Sequence, residues 1–332
     1  MGNTIVMKIP TTGGLAHVLT MEAYRKCLPP GVVNFISGAG RVTMGPVMET
    51  GPDLFAFIGG SKAADTLLKQ HPRPHRLRVF LSLEGKNLGI VAHDADVTVA
   101  VEQCVLGATN FNGQRCTAIK MIFVHESLAQ EFGEKLAAKV DSLKIGLPWE
   151  DGVQITPLPE PNRPSFLREL IDDATSKGAK IINEKGGLLE GCLMKPAVLF
   201  PVTKDMRAWH EEQFGPVIPI AVYKDINEVH QYIHDMPYGQ QAAIFSKNVA
   251  TISSLVDVLS STVGRININT QCSRSPDVLP FSGRRSSANG TLSITEALKA
   301  FSIETVVAGK QNDVNEKLIR DAEGASNFLA KL

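Results

Sequence analysis

Short apolar runs alternate with mixed-polarity stretches along the first quarter of the chain, and glycine or proline marks almost every change. Asn3 to Lys8 (NTIVMK), Val32 to Ser37 (VVNFIS), Leu54 to Ile58 (LFAFI) and Arg78 to Leu83 are rich in β-branched and aromatic side chains and predict strands. Between them, three helices are predicted: Gly13 to Lys26, stopped by Pro29 and Pro30; a short stretch after Gly40; and the segment that Gly59-Gly60-Ser61 opens through Leu68. Strand and helix in alternation imply βαβ units and a doubly wound parallel sheet. The strands lack a strict alternation of polar and apolar positions, as in sheets covered on both faces.

The pattern then returns to helix over Val97 to Phe111, with a loop at Asn112 to Arg115, a strand at Ile119 to Val124 and a long helix at Ser127 to Leu143. Leu147 to Pro164 holds five prolines and reads as an irregular surface segment. Phe166 to Lys177, Asn227 to Asp235 and Val249 to Ser260 predict helices. Lys180 to Asn183, Val217 to Tyr223 and Arg265 to Thr270 predict strands, and Thr305 to Ala308 a short terminal one. Beyond Lys310 the chain is polar, with Val314, Leu318 and Ile319 spaced as a helical stripe, which reads as a solvated helix or a fraying end.

At 332 residues the chain has material for about two domains. Apolar residues make up 43% and charged residues 20%, enough for a core and too much for disorder. The 34 basic and 34 acidic residues cancel, which argues against a nucleic-acid platform held by phosphate contacts. No apolar run approaches the ~20 residues that a membrane helix needs, and the N-terminus does not read as a secretory signal. Five irregularly spaced cysteines, without CxxC pairs or histidines at ligand spacing, argue against structural zinc and a disulfide framework. Free thiols fit a reducing compartment, so a cytoplasmic location is expected.

Three segments carry candidate chemistry. Cys116 lies in Asn112-Gly113-Gln114-Arg115-Cys116-Thr117, a glycine-containing loop between helix and strand. A neighbouring arginine and free amides would favour a nucleophilic thiolate; otherwise the residue is an inert buried thiol. Glu84 ends a strand in Ser82-Leu83-Glu84-Gly85-Lys86-Asn87, where open α/β sheets place ligand contacts, and is either a water-activating base or a surface carboxylate. Glu211-Glu212-Gln213-Phe214-Gly215-Pro216 joins an acidic pair to a turn before a strand.

In this order the three segments resemble the aldehyde dehydrogenase superfamily. Phe57-Ile58-Gly59-Gly60-Ser61-Lys62, His210 to Pro216, Asn269-Thr270-Gln271-Cys272-Ser273-Arg274 and Phe301-Ser302-Ile303 narrow the resemblance to the non-phosphorylating, NADP-dependent glyceraldehyde-3-phosphate dehydrogenases, especially plant-like members. The resemblance covers residues 1 to about 310.

It implies an α/β fold with an incomplete doubly wound parallel cofactor sheet, an α/β catalytic domain and a terminal oligomerisation strand. The implied divisions are 1–85 for the remainder of the dinucleotide-binding domain, 86–285 for the catalytic domain, 286–310 for the C-terminal return and oligomerisation strand, and 311–332 for the tail. Cys116 matches the nucleophile that forms a thiohemiacetal and then a thioester. Glu84 is the candidate base; most superfamily members carry their glutamate two residues earlier, where this chain has Ser82. Arg115 and Arg274 match arginines that hold the substrate phosphate, a task suited to a forked guanidinium.

Lys8 matches the lysine at the adenosine ribose of the cofactor. Thr11 stands where NAD-preferring relatives often carry glutamate, which favours NADP. Gly60 and Ser61 match the pyrophosphate-side turn and Glu212 the residue that grips the nicotinamide ribose. The expected partners are a small phosphorylated aldehyde and further copies of the chain, in a homodimer or homotetramer. The resemblance also places Met1 inside the cofactor domain, after a segment that carries an oxyanion-binding asparagine in relatives. It therefore implies a truncated chain, weakly stable and weakly active. The rival readings are a dehydrogenase of another small aldehyde or semialdehyde, and an impaired subunit with a structural or binding role.

Overall fold

A computed structural model describes residues 2–326. Its largest sheet has seven strands in the order Arg265–Ile268, Gln241–Phe245, Asn87–Val91, Ile119–His125, Val217–Tyr223, Ala197–Phe200 and Lys180–Ile181. All neighbours run parallel except the last pair. Ile90 lies opposite Phe123, and Ile122 opposite Ile220.

Both faces of this sheet are buried, which explains the continuous apolar runs. Leu88, Ile90, Met121 and Phe123 face one core, which includes Leu167 and Ile171 from helix Arg163–Ser176, Val229 and Ile233 from Ile226–Asp235, and Leu255 and Leu259 from Val249–Ser260. Val91, Ile122, Val124 and Ile220 face the other, with Val101 and Cys104 from helix Val97–Thr109 and Phe132 and Leu136 from Ala129–Asp141. Successive strand residues thus point into opposite cores. Asp96, Asp225 and Asn248 start three of these helices by accepting backbone amide bonds in the first turn; Asp225 and Glu228 form a capping box.

Strand Leu54–Ile58 pairs in parallel with Arg78–Ser82, and Ala288–Asn289 returns antiparallel to the latter. A small core of Met48, Phe55, Ala64, Leu67 and Leu81 supports them. Strands Ile5–Lys8 and Val33–Ile36 form a separate two-stranded parallel ladder. Residues 1–85 therefore supply two ladders that share no strand among the described residues, rather than one continuous sheet. Alternation of strand and helix in a sequence says which segments extend, not which of them exchange ladder bonds. Helix Gly14–Cys27 has no buried residue, and its Leu15 and Leu19 are each 81% exposed.

Asn87–Val91, Ala197–Phe200 and Gln241–Phe245 are strands that the sequence pattern did not reveal. Each is four or five residues long and almost wholly buried, so no periodicity distinguishes it. Thr305 to Ala308, expected as a strand, has no ladder partner among the described residues and is irregular there, because extended backbone becomes a strand only by pairing. Val306 and Val307 there are exposed. The tail forms helix Asp313–Ala325, capped by Asn312 and with no buried residue, which is the solvated helix expected of it; residues 327–332 lie outside the described residues.

Candidate active site

The candidate site lies at the N-terminal ends of strands Asn87–Val91, Ile119–His125 and Gln241–Phe245, where residues 83–86 cross from the smaller sheet to the larger. Cys116 is half-buried in the turn before Ile119. The approach to it is tightly bent. Phe111 and Asn112 hold φ of 54° and 60°, a left-handed conformation that costs a side-chain-bearing residue energy. Asn112 is secured by Thr156, whose amide donates to its Oδ1 at 2.9 Å. Gly113 follows at φ +68°, and a Cβ there would stand 2.6 Å from the Ala108 carbonyl oxygen and 2.7 Å from that of Gly215. Only glycine fits this crossing of the cysteine loop and the Phe214-Gly215 segment.

Asn87 anchors the backbone of the cysteine. Its Nδ2 donates to the Cys116 carbonyl at 2.6 Å and the Ala118 carbonyl at 2.8 Å, while its Oδ1 accepts from the Gln241 amide at 2.9 Å. Gln241 reaches onward, donating through Nε2 to the Ser273 carbonyl and accepting the Ser273 amide at Oε1. Arg265 supports the same loop, donating to the carbonyls of Ser273, Arg274 and Ser275 at 3.0, 3.2 and 2.9 Å. The loop that carries Arg274 is thus tied through Gln241 and Asn87 to Cys116.

Arg115 stacks over the Phe111 ring at 5.3 Å and donates to Thr117 Oγ1 from Nε and Nη2. Arg274 lies over the Phe281 ring at 5.2 Å, 3.4 Å from the Asp277 carboxylate, with its side chain 55% exposed. On the loop of Arg274 itself, burial pushes the Cys272 thiol up to about 12, against the opposing pull of Lys120, Arg265 and Arg115.

Two lysines are buried beneath the site. Lys120 is 1% exposed; its Nζ donates to Glu212 Oε1 at 2.6 Å and to the Cys116 carbonyl at 3.3 Å. The Gly85 amide donates to the same Oε1 at 3.0 Å. Lys86 donates to the Glu211 carbonyl at 2.6 Å and to Gln213 Oε1 at 2.8 Å. Gln213 Nε2 in turn donates to the carbonyls of Lys120 and Val217. The segment 211–213 is therefore held on both sides by ammonium groups. Burial, reinforced by the like charge of Lys120, pulls Lys86 down to about 7. Burial also lowers Lys120, while Glu212 opposes the shift.

Glu84 has a different neighbour from Cys116. Its carboxylate accepts the Ser61 amide at 2.9 Å on both oxygens, and the Ser61 hydroxyl at 3.3 Å. Ser61 opens helix Ser61–Lys69, whose free amides and dipole favour an anion. The turn matched to a pyrophosphate thus holds a carboxylate of the chain itself, and two sequence-derived candidates converge on one contact. Ser82 is buried in strand Arg78–Ser82. Lys8 ends strand Ile5–Lys8 half-buried, and Thr11 is exposed just beyond it. Lys8 belongs to the separate two-stranded ladder, and Thr11 follows three residues after it.

The model of the aldehyde dehydrogenase family matches residues 1–307, and the chain belongs to that family. It is 34% identical over 302 residues to the NADP-dependent glyceraldehyde-3-phosphate dehydrogenase of Streptococcus equinus, covering 90% of this chain and 62% of that one. It is 32% identical over 299 residues to the Pisum sativum protein of the same name, covering 90% and 58%. Among solved structures it is similar to the NADP-dependent glyceraldehyde-3-phosphate dehydrogenase from Bacillus halodurans C-125 complexed with NADP, at TM-score 0.86 and 35% identity over 92% of this chain and 63% of that one. The chain spans about three-fifths of the length of the relatives it matches.

Proposed function

We propose that this chain carries the thiol chemistry of an NADP-dependent aldehyde dehydrogenase, oxidising glyceraldehyde 3-phosphate to 3-phosphoglycerate with water and without phosphorolysis. The observation that carries the reading is the anchorage of Cys116, the matched nucleophile. A strained turn, the Asn87 amide and the Lys120 ammonium converge on it, and Gln241 links it to the loop of Arg274. Two relatives that carry the NADP-dependent glyceraldehyde-3-phosphate dehydrogenase name support the substrate class and the cofactor.

In this reading Cys116 attacks the aldehyde carbon, and Arg115 and Arg274 receive the phosphate of the substrate. Each charge-assisted contact would contribute about 1.5–3 kcal/mol. NADP, when bound, supplies the hydride acceptor. Lys8 and Thr11 would take its adenosine ribose end, the Gly60-Ser61 turn its pyrophosphate and Glu212 its nicotinamide ribose. Donors suited to an anion are present at Ser61, where a carboxylate already binds. A pyrophosphate arriving there would displace Glu84 from the amide. The released carboxylate is the sole one between Arg78 and Asn87, and in this reading it activates water against the Cys116 thioester. Val306 and Val307, exposed near the C-terminal end of the family match, would pair with a second copy of the chain.

The test is NADPH formation by the purified chain from glyceraldehyde 3-phosphate, followed by absorbance without inorganic phosphate. Turnover that disappears in Cys116→Ser supports the reading. Turnover that survives in that variant, or that requires inorganic phosphate, refutes it.

A further inference from the structure

A lysine that is 1% exposed is a costly residue to fold, and pairing it with one carboxylate does little better than offset the loss of hydration. Lys120 is therefore poorly explained as a source of stability. What its ammonium does geometrically is specific: it joins two groups that belong to different parts of the reaction, the backbone of Cys116 and the side chain of Glu212. Both hydrogen bonds to Glu212, from Lys120 and from the Gly85 amide, fall on Oε1. Among the described residues Oε2 takes none. The flanking residues cannot swing, because Lys86 and Gln213 hold the backbone on either side. The Phe214 ring lies 5.6 Å from the same Nζ and covers it.

We propose that Lys120 is a positioning residue of the cofactor site: it pins Oε1 of Glu212, keeps Oε2 as the acceptor for a ribose hydroxyl, and holds that acceptor at a constant separation from the nucleophile. The proposal rests on Glu212 as the residue that meets the nicotinamide ribose. A carboxylate pinned at one oxygen has a single rotamer to offer, so less is lost in ordering it when a ligand arrives.

The experiment is a titration of the full chain with NADPH, read by fluorescence transfer from protein to nicotinamide, alongside thermal melts. The variants are Lys120→Met, Glu212→Gln and the double variant. Lys120→Met is expected to weaken NADPH tenfold or more in the folded protein, and the double variant to bind no more weakly than Glu212→Gln alone, since the two residues act as a unit. A purely structural lysine would lower the melting midpoint and leave NADPH binding by the folded protein unchanged, which overturns the proposal while the cofactor reading stands. If the wild-type chain retains no NADPH, the cofactor reading falls and the proposal with it. Should Lys120→Met fail to fold, the double variant, which leaves no unpaired charge at positions 120 and 212, decides. Binding equal to Glu212→Gln supports the proposal, and a further loss beyond threefold overturns it.

Discussion

Replacing Lys86 with methionine removes a buried ammonium whose hydrogen-bond partners are both neutral, the Glu211 carbonyl and Gln213 Oε1. In the folded chain its amine sits at about 7, against an ordinary value of 10.5, because burial and the neighbouring Lys120 disfavour the charge. The unfolded chain keeps that proton up to its ordinary value. Between those two points the unfolded state binds more protons than the folded one, so stability rises with pH. Below about pH 7 both states are charged and the penalty is complete, on the order of 5 kcal/mol. It fades as pH rises and is gone above 10.5. In Lys86→Met this dependence disappears. The unfolding free energy of the wild type minus that of the variant therefore grows by about 3 kcal/mol between pH 6.5 and 9.5. Groups common to both proteins, such as the Cys272 thiol, cancel in the difference. Urea unfolding at several pH values reads it directly, with fluorescence of Trp209, which packs against Phe123 and Tyr232, as the probe. Parallel curves for the two proteins across that range would refute a buried, displaced Lys86.

Three further outcomes follow from the site. Arg115→Leu and Arg274→Leu should each lower kcat/KM for glyceraldehyde 3-phosphate by about 10- to 150-fold, the loss of one charge-assisted contact, with little change for an unphosphorylated aldehyde of similar size; equal losses for both substrates would contradict phosphate recognition. Glu84→Gln leaves a neutral amide at Ser61, so NADPH should bind severalfold more tightly while steady-state turnover falls behind a first burst; unchanged affinity would mean that the carboxylate does not compete for that amide. Gly113→Ala forces a methyl group to within 2.6 Å of a carbonyl oxygen at φ +68°, and chemical denaturation should show a loss of about 1–3 kcal/mol or more; wild-type stability would contradict the crossing described.

Much of the site could be located by motif because its members are close in sequence and carry unusual combinations. Gln114-Arg115-Cys116-Thr117 and Glu211 to Pro216 are examples, and both lie where the chain turns before a strand. Lys86 and Asn87 stand in the Glu84 motif without a role that the sequence reveals, and Lys120, Gln241 and Arg265 carry no motif signal at all. A lysine within a strand looks in sequence like any surface lysine, and only the second sheet face makes Lys120 a buried cation. Asn87 and Gln241 have significance because their strands are adjacent, although 154 residues separate them along the chain.

The sequence by itself determined the α/β alternation, most helix boundaries and the family, since turn chemistry and buried apolar runs are local and the motifs are contiguous. Tertiary structure alone decided which strands bond to one another, and that Glu84 meets Ser61 across 23 residues. It alone also brought one ammonium between the Cys116 carbonyl and Glu212. Those are contacts between distant segments, and their energies depend on burial and distance, which no linear pattern of residues encodes.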